Sequence, residues 1–125
     1  MNTLEVGQRL VELLRAGKNL EVMDTLYAPD IVSVEAGAPP GQDRTTTGVD
    51  ACKQKGAMFR TRMEIMSINV EGPFPHDDRF AIFIAYDGTA KLGPTAGQRQ
   101  LMKEVALYTV ANGKIVREEF FYTMS

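Results

Sequence analysis

Glu35, Glu104 and Glu118 are the side chains whose settings suit acid–base work near neutral pH. Strand alternation puts Glu104 on one side with Ala106 and Tyr108. By the same rule Glu118 travels with Phe120 and Tyr122, and Glu35 with Ile31 and Ser33. A carboxyl group kept from water resists ionisation, so its pKa climbs toward the range of a working base. Several in one dry space cannot all ionise cheaply: one keeps its proton and donates while another accepts. Tyr108 and Tyr122 could then donate to a substrate oxygen. The plainer alternatives are a solvated strand end for Glu35 and an ion pair of Glu104 with Arg62, Lys103 or Arg117. The tyrosines would then be core rings. A slip of one residue would exchange Glu118 with Glu119.

Other chemistries find less support. His76 stands in Pro75-His76-Asp77-Asp78-Arg79, where adjacent residues cannot easily converge on one ion, so no metal is expected. Cys52 has no neighbour in sequence to lower its pKa, and Ser33 has no histidine partner in view. No phosphate-cradling loop or dinucleotide fingerprint occurs, and no cofactor is expected. With a formal net charge of -2 and scattered basic residues, nucleic acid and anionic membranes are poor partners. One cysteine, no long apolar stretch and no leader pattern at the start lead to an expected cytoplasmic location.

The elements that must position these groups fit a single domain over residues 1–125. Asn2 and Glu5 have capping-box spacing, and Val6, Leu10, Leu13 and Leu14 follow at helical spacing, which predicts a helix over 3–16. A second helix is expected from Asn19, with Leu20, Met23, Leu26 and Tyr27 on one face and Pro29 as its stop. A strand over 31–35, a loop over 36–47 and a helix carrying Cys52, Gly56, Phe59 and Met63 come next.

Met66, Ile68 and Val70 begin a strand, with a turn expected at Gly72-Pro73-Phe74-Pro75. Strands over 80–89, 99–110 and 114–122 complete the chain, the last two joined by an Asn112-Gly113 hairpin. The strand over 80–89 is apolar on both faces. Helices cover one; a second copy of the chain is the simplest cover for the other. Phe80, Ile82, Ile84 and Tyr86, with Leu101, Val105, Leu107 and Phe121, are assigned to that outer face, and a homodimer is expected.

Leu26-Tyr27-Ala28-Pro29-Asp30, Val70-Glu71-Gly72-Pro73-Phe74 and Gly113-Lys114-Ile115-Val116, with this order of elements, resemble the SnoaL-like family. Its relatives are the ketosteroid isomerases and nuclear transport factor two. The resemblance implies an α+β fold: a cone of bent antiparallel sheet with three helices around a central pocket. It puts Glu104, Ala106, Tyr108, Glu118, Phe120, Tyr122, Phe83 and Ala85 inside the cone, with Tyr27, Met58, Met63 and Met66 closing the wall. Glu35 falls where ketosteroid isomerases carry their general base.

The isomerases' oxyanion tyrosine meets Leu10 or Val11 here, and their acid on the penultimate strand meets Ala106, one pleat from Glu104. The implied function is binding of a small apolar or polycyclic molecule, with cofactor-independent proton transfer of isomerase or cyclase type by Glu35, Glu104 and Tyr122. A non-catalytic ligand-binding or association module is the alternative.

Overall fold

The computed structural model describes residues 1–123. Helix α1 (Thr3–Arg15) starts as its capping box demands. The Asn2 Oδ1 accepts from the Glu5 amide at 2.8 Å, and the Glu5 carboxylate accepts from the Asn2 amide at 3.0 Å. Val6, Leu10, Leu13 and Leu14 form its buried stripe. Helix α2 (Asn19–Thr25) is shorter than expected. Tyr27 and Pro29 belong instead to strand β1 (Tyr27–Val34), where the pairing becomes irregular between Tyr27 and Val32 and a missing amide hydrogen is tolerated.

The expected loop over 36–47 ends in a short strand, β2 (Thr45–Thr47), paired antiparallel with β1. Gly48 precedes helix α3 (Val49–Arg62), at a φ of 95° that suits glycine.

Four long strands follow: β3 (Met63–His76), β4 (Arg79–Ala90), β5 (Arg99–Ala111) and β6 (Lys114–Phe121). The turn expected at Gly72–Pro75 is instead an irregularity inside β3, and the chain reverses at Asp77 and Asp78. Asn112-Gly113 is the hairpin turn, both residues at positive φ.

The sheet order is β2-β1-β6-β5-β4-β3. Its one departure from the antiparallel expectation is β1 against β6, which run parallel and join the first strand to the last. The result is three helices and an open six-stranded mixed sheet, an α+β arrangement consistent with a cone. None of the helices is long and apolar enough to cross a membrane.

Helix α1 lies so close to the sheet that a Cβ on Gly7 would come within 2.8 Å of Pro73. The core between them holds Leu10, Leu13, Phe80, Ile82 and Ile115, each almost wholly buried. Removing the side chain of one such leucine costs about 2–5 kcal/mol. That core occupies one end of the concave face, and the polar groups gather at the other.

Candidate active site

Register decides which side chains meet. Ser33 of β1 lies beside Glu118 of β6, which lies beside Tyr108 of β5, which lies beside Phe80 of β4. One pleat along, Phe120, Ala106 and Ile82 align; in the next, Glu104 sits opposite Ile84. These residues share the concave face. Helix α3 crosses over it and lowers Lys55 and Phe59 toward the strands.

Glu118 is only 3% exposed, a depth at which a carboxyl group must be partnered. It accepts hydrogen bonds from the Tyr27 hydroxyl and, at 2.8 Å, from the Ser33 hydroxyl. Burial pushes its pKa up; the two hydroxyls and the Lys55 charge oppose that rise. Tyr27 is held well above the usual phenol value by burial and by the Glu118 charge.

From Ser33 the network continues outward. The Lys55 ammonium donates to Ser33 Oγ at 2.8 Å and to Glu35 Oε1 at 2.9 Å. It also stands 5.7 Å from the centre of the Phe120 ring. The Tyr122 hydroxyl donates to the other Glu35 oxygen at 2.8 Å. A continuous hydrogen-bonded chain therefore runs from Tyr27 in the core to Tyr122 at the rim. Among the described residues no buried side-chain nitrogen or oxygen lacks a partner.

Glu104 stands apart from that chain. Its one polar contact is the Tyr86 hydroxyl at 3.5 Å, long for a hydrogen bond, and Phe59 packs edge-on against the Tyr86 ring. Burial raises the Glu104 carboxyl to about 7, and the negative charge of Glu35 adds to the rise. Tyr86 and Lys55 pull it back, and Glu118 pushes it further. A carboxyl group poised there exchanges a proton readily in neutral solution. At the rim a hollow of about 330 Å³ opens beside Glu35, Ala36, Arg44, Phe120 and Tyr122.

The expected residues divide into two sets. Glu35, Glu104, Glu118, Tyr27, Tyr108, Phe120, Ala106 and Tyr122 come together on the concave side, with Ala106 and Tyr108 fully covered by core. Phe83 and Ala85 do not join them: they pair with Val105 and Lys103 and face the opposite way, where the inward residues had been expected to lie outside. Their places are taken by Ile84 and Tyr86. The strand is apolar on both faces, so its pattern fixes no direction, and the 91–98 connection fixes no register.

Met58 and Met66 are 59% and 62% exposed and form no wall. Met63 caps the end of α3 and reaches toward Gly88. Sequence reasoning missed Lys55, Ser33 as a partner of Glu118, and Tyr86. A signal for Lys55 existed: it is three residues after Cys52 and four before Phe59, so it shares their helical face. The ion pairs weighed for Glu104 do not form; Arg117 pairs with Glu119 on the other face.

A family model described as "SnoaL-like domain" matches residues 1–122. The chain belongs to the SnoaL-like family. A crystal structure from Mesorhizobium loti, named as a candidate SnoaL-like polyketide cyclase [carbohydrate phosphatase], is 37% identical. It superposes with a TM-score of 0.89 over 98% of this chain and 100% of that one. A candidate polyketide cyclase from Pseudomonas putida is 18% identical, with a TM-score of 0.72 over 99% of this chain and 93% of that one. A Catenulispora acidiphila protein with a ketosteroid isomerase-like fold, in complex with trimethylamine, is 21% identical, with a TM-score of 0.74 over 99% and 89%. The latter two likenesses speak to the fold. No curated protein matches the chain.

Proposed function

We propose that this SnoaL-like protein binds a small, largely apolar carbonyl compound and moves a proton on it without a cofactor. Glu104 is the acid–base group. The observation that carries this reading is a half-buried carboxyl group raised to about 7 by burial and the Glu35 charge, with the Tyr86 hydroxyl 3.5 Å away and the Tyr122 hydroxyl on Glu35. Ionised Glu104 takes a proton from the carbon next to the carbonyl. The Tyr122 or Tyr86 hydroxyl donates to the developing enolate oxygen, and Glu104 returns the proton to another carbon. In a ring closure the enolate carbon instead attacks a second carbonyl of the same molecule, whose C=O π bond opens to an alkoxide that takes the proton from Glu104. The Mesorhizobium loti relative, named as a candidate cyclase, supports the same class.

The test is turnover of ring-closing and isomerising carbonyl substrates by Glu104→Gln and Glu35→Gln. Loss in Glu104→Gln with the fold intact supports the reading; full activity in both variants ends it. Binding without turnover is the second reading, favoured by the trimethylamine held by the Catenulispora acidiphila neighbour. It predicts that a small amine raises the melting temperature here while no substrate is consumed.

Self-association is proposed through the outer sheet face, where Phe83, Val105 and Phe121 align across three strands and Val105 and Phe121 are 42% and 52% exposed. Lys103 on one side and Glu119 on the other suit a two-fold pairing with a second copy. A cytoplasmic setting is proposed with it, on the single buried thiol of Cys52.

A further inference from the structure

Three carboxyl groups converge under α3, and one ammonium faces them. Lys55 reaches down from the helix to Ser33 and Glu35 of the β1 segment, with the Phe120 ring of β6 beneath it. Glu118 of β6 is one hydrogen bond further, through Ser33. Glu104 of β5 and Tyr86 of β4 lie across the concave face, Tyr122 holds the far oxygen of Glu35, and Cys52 is one helical turn back on α3. Tyr108 completes the ring of titratable groups. The ammonium touches Glu35 directly, while Glu104 has no cation in contact.

We propose that Lys55 is a positioning residue that assigns the proton within this cluster. By clamping Glu35 between itself and Tyr122 it commits its own charge there and leaves Glu104 to carry the exchangeable proton. The physical reason is proximity. A charge–charge contact near 3 Å outweighs a more distant one, so the Lys55 ammonium neutralises Glu35 and only trims the pKa of Glu104. The Arg44 side chain lines the hollow on the Glu35 side and not beside Glu104. The salt bridge is partly sheltered, with side-chain exposures of 34% and 28%, so solvent weakens it only in part.

This inference rests on Glu104 being the acid–base group, and its test separates the two. Protein labelled with carbon-13 at the glutamate carboxyl positions is titrated by NMR without substrate, with the Glu104 resonance identified from Glu104→Gln. In the native chain the Glu104 carbon titrates near neutrality; if it does not, the proposed function and this inference fall together. In Lys55→Met its midpoint rises by roughly a few tenths of a pH unit, and in Lys55→Arg it returns close to the native value. Lys53→Met removes the same charge from the same helix, where Lys53 faces Asp24, and leaves the midpoint in place.

Should Lys55→Met fail to fold, Glu35→Gln serves. It frees the ammonium and removes a negative neighbour, so the Glu104 midpoint falls by about one unit. A native neutral titration that neither Lys55→Met nor Glu35→Gln displaces overturns the role of Lys55 and leaves the acid–base role of Glu104 standing.

Discussion

The two faces of strands β4 to β6 use the same backbone for opposite purposes. On the concave face Glu104, Glu118 and Tyr108 are half to fully buried, and Glu118 is held by the hydroxyls of Tyr27 and Ser33. One residue away on the convex face, Val105 and Phe121 present exposed apolar surface. A strand period of two lets one sheet present a buried acidic cluster on one side and an exposed apolar surface on the other. Burial makes the inner acids sensitive to each neighbour, whereas solvent screens the outer ones.

The largest expected break in this contrast is chemical. Glu104→Gln keeps shape and hydrogen-bonding size but cannot exchange a proton, so turnover should fall about a hundred- to ten-thousand-fold. Steady-state rates on a responsive substrate measure it. On stability, Glu118→Leu strands the hydroxyls of Tyr27 and Ser33 and should cost about 3 kcal/mol in urea denaturation. Glu119→Leu, the adjacent outer position paired with Arg117, should change stability by at most about 1 kcal/mol. Equal losses at both positions would erase the distinction.

The pH dependence follows from the raised acids. Glu104 goes from 4.5 in the unfolded chain to about 7 when folded, so the native state binds the extra proton in that window. The contribution of this group is therefore fullest below about 4.5 and declines as pH rises through 7, by roughly 3 kcal/mol. Glu118, also raised, acts in the same direction. Denaturation midpoints across pH 5 to 8 should slope downward, and Glu104→Gln should flatten the slope. The smallest effect on the folded chain belongs to Val105→Glu, within about 0.5 kcal/mol for the isolated protomer. Sedimentation tests the proposed self-association: the unmodified chain should run as a dimer and Val105→Glu as a monomer.

How much of this was legible in the sequence depended on local signals. Asn112-Gly113 pinned β5 to β6, so Glu104, Ala106 and Tyr108 were aligned with Glu118, Phe120 and Tyr122 before any coordinates. Asn2 and Glu5 announced α1 in the same way. No such pin joins β4 to β5, and a strand apolar on both sides gives alternation no direction, so Phe83 and Ala85 were turned inward in place of Ile84 and Tyr86. Gly72-Pro73 looked like a turn because an irregularity within a strand uses the same residues. Lys55 was hidden for a different reason: a lysine on a half-buried helix reads as solvated until the acids below it are seen.

The parallel pairing of β1 with β6 carries a consequence for synthesis of the protein. Ser33 and Glu118 are 85 positions apart, so the first half of the acidic cluster leaves the ribosome long before its other half exists. Until the final strand emerges, Tyr27 and Ser33 await a carboxylate that only the carboxy-terminal end supplies. A nascent chain stalled before Lys114 holds Tyr27, Ser33, Glu35 and Lys55 but lacks the Glu118 carboxylate that joins the two hydroxyls.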